Sequence, residues 1–121
     1  MAERIPGLFA LNERVVLCGE WKYGHFAFCP VAATNVGDIQ LKIEPELVTN
    51  VASQCYDSSP SFRVYGENGK RMEKGSELGA FRLGSTIVLL FECPQEFRFT
   101  CNVGKKVRVG ESLGVIEATL K

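Results

Sequence analysis

Leu83-Gly84-Ser85-Thr86 runs directly into Ile87-Val88-Leu89-Leu90-Phe91. The five apolar residues at its end have the length and side chains of a buried strand rather than a helix, and Gly-Ser ahead of them is a turn signal. The same pair is a place where backbone and side chain can react. Gly84 has no Cβ, so the peptide before Ser85 can take up strained or positive-φ geometry. The Ser85 hydroxyl then lies close to the carbonyl of Gly84 and is placed to attack its own preceding peptide bond. On these four residues alone, an ordinary turn and a self-processing site are both open.

Strand patterns extend in both directions. Upstream, Arg14 to Trp21 and Phe26 to Ala33 are β-rich runs joined through Lys22-Tyr23-Gly24-His25, which predicts a hairpin. Pro30 inside the second run argues for an edge strand or a bulge. Asp38 to Ile43 alternates cleanly, with Ile39, Leu41 and Ile43 on one buried face. Residues 44–60 read as a long surface loop with a turn of helix near Pro45-Glu46-Leu47. A short strand follows at Ser61–Tyr65, and Asn68-Gly69 carries the signature of a tight type I′ turn. Downstream, strands are expected at 78–82, 86–92, 97–101, 105–109 and 113–119. The whole predicts an all-β chain, a compact barrel or flattened sandwich forming one domain over residues 1–121. Strands 38–43 and 86–92 lie inside it, with Ile39, Leu41, Ile87, Leu89 and Val115 buried.

Composition narrows the function. With 14 basic and 14 acidic residues the net charge is zero, so no overall field recruits nucleic acid or an anionic surface. The nearest thing to a basic patch, Lys105-Lys106-Val107-Arg108, reads as the solvated face of a strand. Five cysteines without Cys-x-x-Cys spacing, and one histidine, argue against a zinc site. Apolar neighbours make Cys18, Cys29 and Cys93 reduced core residues. No run is long enough to span a bilayer as a helix, and no secretory signal or targeting segment opens the chain, so contact with a membrane is expected to be peripheral at most.

A weak internal repeat is present. Lys74-Gly75-Ser76-Glu77-Leu78-Gly79-Ala80-Phe81 matches Val109-Gly110-Glu111-Ser112-Leu113-Gly114-Val115-Ile116 at an offset of 35 residues. Each copy has a glycine for a sharp turn, then an apolar residue, a second glycine and another apolar residue. This is similar to the turn-and-strand units of lipoyl and biotinyl carrier domains. Carrier function needs a lysine at a hairpin tip between neighbours such as Met-Lys-Met, and the sequence has none. The repeat therefore reads as two similar corners of one fold.

The segment Lys74 to Glu92, with Leu78-Gly79-Ala80-Phe81-Arg82-Leu83-Gly84-Ser85-Thr86 at its centre, resembles the processing segment of the phosphatidylserine decarboxylases. Leu8 to Val15, Ala33-Thr34-Asn35-Val36-Gly37 and Val103 to Glu111 extend the resemblance, in order, over nearly the whole chain. The mitochondrial type is the most similar. Ala32 stands where the family usually has Gly, and Asp38 where Ser is usual.

The resemblance implies that a proenzyme cuts itself between Gly84 and Ser85. Ser85 would be the nucleophile and Gly84 the carbonyl attacked; ester formation, elimination and loss of ammonia would leave a pyruvoyl group at Ser85. That cofactor condenses with the amine of phosphatidylserine and accepts the electron pair left by carbon dioxide, giving phosphatidylethanolamine. The family's base, an Asp and a Tyr-His-Arg-x-His segment, belongs upstream of the part resembled here. The sole histidine, His25, matches none of those positions and reads as an exposed turn residue. The expected partners are accordingly phosphatidylserine and an upstream segment or full-length decarboxylase chain, with a mitochondrial, inner-membrane-associated location implied. Without the upstream base, Gly84-Ser85 is expected to stay uncut. The alternative function is an inactive β-domain acting as a binding or regulatory partner.

Overall fold

The computed structural model describes residues 12–33, 38–47, 49, 62–67, 69–82, 84 and 86–117. Seven strands are formed: β1 (Leu17–Trp21), β2 (Gly24–Val31), β3 (Ile39–Leu41), β4 (Gly79–Phe81), β5 (Thr86–Phe91), β6 (Phe97–Phe99) and β7 (Gly114–Ile116). They pair antiparallel in three small sheets, β1-β2-β5, β3-β4 and β6-β7. The chain is all-β and sandwich-like, one of the two forms expected; among the described residues the sheets do not close into a barrel. No helix long and apolar enough to cross a membrane occurs among those residues.

Lys22-Tyr23 forms the two-residue link of the first hairpin, with Trp21 opposite Gly24. Pro30 proves to be in the central strand of its sheet, not at an edge. Its carbonyl accepts the N–H of Val15 at 3.1 Å, but the reciprocal bond needs an N–H that proline lacks. The regular ladder of β1 therefore begins only at Leu17, although the Arg14–Val31 bridge keeps the same register beyond the gap.

One face of the three-stranded sheet carries the packing. Val15 and Leu17 lie against a buried cluster of Ala32, Ile39 and Leu41, which Ile43, Leu47 and Phe81 complete. Thr49, also buried, accepts the Ile39 N–H through Oγ1 at 2.8 Å. Farther along, Trp21, Phe26 and Phe91 pack together, and Phe91 in turn meets Phe97 and Phe99 of β6, with ring centroids 5.0–6.3 Å apart. Glu92 locks this end: its carbonyl accepts Trp21 Nε1 at 2.9 Å and its carboxylate accepts the His25 N–H at 2.6 Å.

Burial follows the expectation at Ile39 (1%) and Leu41 (6%) and departs from it at Ile87 (48%) and Val115 (45%), with Leu89 half-buried. The reason is position. β5 hydrogen-bonds only to β2 and is a sheet edge, and β7 belongs to a two-stranded ribbon. The opposite face of the first sheet, with Cys18, Ala27, Cys29, Val88 and Leu90, has no charged residue along that run and is largely open. Cys18 on that face is consequently exposed rather than core, and so is Cys93 beyond the end of β5; Cys29 and Cys101 are half-buried free thiols, and Cys55 lies outside the described residues.

Two further expectations fail for lack of a pairing partner. Phe62–Tyr65 forms no strand and is held instead through side chains, Arg63 and Tyr65 both donating to the Glu44 carboxylate. Residues 105–109 are likewise unpaired, lying between two turns. Around Pro45 the chain makes a turn, with Leu47 N–H to Glu44 carbonyl at 3.0 Å, rather than a turn of helix. Residues 118–119 and Asn68 of the predicted I′ turn lie outside the described residues.

The repeat is structural. Glu73–Ser76 and Arg108–Glu111 are turns closed by backbone bonds of 3.1 and 3.0 Å, with Gly75 and Gly110 at φ 83° and 82°. That is the pattern of a type II turn, whose third residue needs the left-handed region. Each turn leads to a strand whose opening glycine lets its partner approach: the carbonyl of Gln40 at Gly79, the ring of Phe97 and carbonyl of Arg98 at Gly114. Even the flanking bonds correspond, Lys42 to Leu78 at 2.9 Å and Thr100 to Leu113 at 2.9 Å.

Candidate active site

Gly84 lies on the crossing between β4, in the second sheet, and β5, in the first. The upstream side is tied at Arg82. Its N–H reaches the Asp38 carbonyl at 3.3 Å, and its Nε lies 2.9 Å from Asp38 Oδ2. With its amide oxygen turned inward, Gln40 also accepts from Arg82, at 3.0 and 3.1 Å. The downstream side is tied at Thr86, which pairs with the buried Val31. Between these anchors Gly84 is exposed, and a Cβ built on it meets nothing within 4 Å. Leu83 and Ser85 lie outside the described residues.

Among the described residues the left-handed glycines with φ between 55° and 121° are Gly24, Gly66, Gly69, Gly75, Gly104 and Gly110. The Asp38–Arg82–Gln40 latch went unread in the sequence. Its signal was available, because Asp38 and Gln40 flank Ile39 on the polar phase of an alternating strand, and Arg82 is the polar residue ending its partner.

His25 is not brought to the site. It is exposed, near the start of β2, while Thr86 pairs with Val31 at the far end. Six strand positions separate His25 from Val31, roughly 20 Å at the usual rise. The Asp38 carboxylate, on the upstream side of the crossing, is engaged by Arg82. No cluster of three metal-ligating side chains is present among the described residues.

A profile of the phosphatidylserine decarboxylase family matches residues 1–115. The chain is 48% identical over 120 residues to phosphatidylserine decarboxylase proenzyme 1, mitochondrial, of Saccharomyces cerevisiae, covering 92% of this chain and 24% of that protein. It is 46% identical over 117 residues to the mitochondrial proenzyme of Pongo abelii, covering 94% and 29%. With the mitochondrial proenzyme 1 of Arabidopsis thaliana the identity is 43% over 125 residues, covering 91% and 28%. The chain thus spans less than a third of the length of these curated relatives. No solved structure matches. Match and order together place the chain in the phosphatidylserine decarboxylase family.

Proposed function

We propose that this chain is the part of a mitochondrial phosphatidylserine decarboxylase proenzyme, a carboxy-lyase of phospholipid biosynthesis, that carries the self-processing point, Gly84-Ser85. The observation that carries the reading is the crossing itself, an open glycine ahead of Ser85 on a span anchored by Arg82 and Thr86 in a chain of this family. Ser85 would be the source of the pyruvoyl group, which supplies an electron sink for decarboxylation of the serine headgroup. The room around Gly84 is compatible with a group made from the chain itself. Asp38 and Gln40 hold Arg82, which fixes the chain two residues ahead of Gly84.

The base that takes the hydroxyl proton is assigned to an upstream segment, since His25 sits at the wrong end of β2. The uncovered apolar face around Val88 and Leu90 supports a partner segment of this kind, because so much exposed apolar surface favours burial.

Intact mass spectrometry tests the reading. Alone, the chain is expected as one species of 13.4 kDa, because general-base assistance is worth about 10²–10⁴-fold in rate. With the upstream segment of a relative supplied in trans, two pieces should appear, residues 1–84 and a remainder with a blocked N-terminus. Ser85→Ala should abolish them. Absence of cutting under both conditions overturns the proposal and leaves a non-catalytic binding domain.

A further inference from the structure

Residues 102–110 form a feature that the decarboxylase reading does not use. Two turns stand end to end: Asn102–Lys105, closed at 3.1 Å with Gly104 at φ 78°, and Arg108–Glu111, closed at 3.0 Å with Gly110 at φ 82°. The second residue of each turn, Val103 and Val109, is fully exposed, and Val107 between them is exposed as well. Lys105, Lys106 and Arg108 share the segment, which contains no carboxylate, and none of the three pairs with an acid among the described residues. The next acid, Glu111, is committed to the Arg108 N–H at 2.9 Å.

The chain contains its own control. The equivalent turn of the other repeat, Glu73–Ser76, has the same backbone with Lys74 at the tip, and its Glu73 pairs with Arg71 at 3.2 Å. The turn therefore does not demand valine at its tip. Two fully hydrated valines and three unpaired cations within nine residues, in a chain of zero net charge, make a surface with a chemistry of its own. Nine residues span at most about 30 Å, the width of a few lipid headgroups.

We propose that residues 102–110 dock on an anionic lipid surface, Lys105, Lys106 and Arg108 meeting the headgroup phosphates while Val103 and Val109 enter the boundary with the acyl chains. Paired apolar tips in a cationic setting fit an interface that is charged outside and apolar inside. Nucleic acid fits less well, because the segment offers no aromatic ring for base stacking. The inference deepens the decarboxylase reading, which places the substrate in such a surface, but it is read by binding rather than turnover.

Co-sedimentation of the 121-residue chain with vesicles tests it. The probes are phosphatidylcholine alone, phosphatidylcholine with phosphatidylglycerol, and phosphatidylcholine with phosphatidylserine. Similar binding to both anionic mixtures is expected, with little to phosphatidylcholine. Replacing Lys105, Lys106 and Arg108 together by Gln should weaken it by about 100-fold, at roughly fivefold per cation. Val103→Lys with Val109→Lys keeps the turns, as Lys74 demonstrates, and adds charge; it should nevertheless weaken binding by about tenfold or more. Stronger binding by that variant means attraction by charge alone and overturns the proposal, as does failure to bind phosphatidylglycerol vesicles. Binding confined to phosphatidylserine and lost with Ser85→Ala assigns recognition to the processing site; the decarboxylase reading then stands and the docking surface falls. Binding to both anionic mixtures by a chain that stays uncut even with the upstream segment does the opposite: the docking surface stands and the decarboxylase reading falls.

Discussion

Gly84 and Gly114 are both glycines at the head of an apolar run, Gly84 two residues ahead of β5 and Gly114 the first residue of β7, and the fold treats them oppositely. A Cβ on Gly114 would press into the Phe97 ring and sit 2.8 Å from the Arg98 carbonyl, whereas one on Gly84 meets nothing within 4 Å. Gly114→Ala is therefore expected to cost about 1–3 kcal/mol through overpacking, and Gly84→Ala less than about 0.5 kcal/mol. Urea unfolding of the two variants measures both. A neutral Gly84→Ala would separate any effect on processing from an effect on the fold. At this scale the sequence showed where a glycine stood and what chemistry its neighbour could do. It did not show whether space lay around the glycine, because the atoms that fill such space come from Phe97 and Arg98, or from nowhere.

Among the elements, the arm at residues 62–67 and 69–70 is attached by polar side chains rather than a ladder. Arg63 and Tyr65 donate to Glu44, Lys70 donates to the Ile43 carbonyl, and its Nζ lies 4.9 Å from the Tyr65 ring centroid. The Tyr65 hydroxyl, chiefly, with help from Arg63 and Lys70, holds the Glu44 carboxyl below its ordinary 4.5 against an opposing effect of burial. A carboxyl lowered by folding stabilises above 4.5, and that contribution is lost as pH falls through the lower folded value. The bond to Glu44 also raises Tyr65 above its ordinary 10.0, so its contribution is present below 10.0 and lost as pH rises through the folded value. Amide exchange in residues 62–70 should thus accelerate below 4.5, and Glu44→Gln should remove the acid dependence. The sequence made this arm a strand because Phe62, Val64 and Tyr65 have the side chains of one, yet strands exist only in pairs. β3 was legible because Ile39 and Leu41 alternate with a polar Gln40. In β5 the unbroken run Ile87–Phe91 named a strand but neither its neighbours nor its buried face.

Over the whole molecule, the described apolar core is concentrated where Ala32, Ile39 and Leu41 meet the first sheet, and the outer face of that sheet contributes little to it. Ile39→Ala should cost about 2–5 kcal/mol, while Leu90→Ala, at a side chain already 69% exposed, should cost less than about 1 kcal/mol in thermal or chemical unfolding. The all-β class and the duplicated corner were readable because turn glycines and strand periods are local. The open face was not, since exposure depends on what else arrives to cover it. The order of pairing also decides what would become of a chain opened at Gly84-Ser85. β1-β2 and β3-β4 lie wholly on the earlier side of that point and β6-β7 wholly on the later side, so β2-β5 is the one ladder among the described strands that straddles it. Its six residue pairs, from Phe26–Phe91 to Val31–Thr86, together with the rings of Trp21 and Phe26 against Phe91, would rivet the two fragments together, and each fragment would keep its own hairpin as a separate hinge leaf.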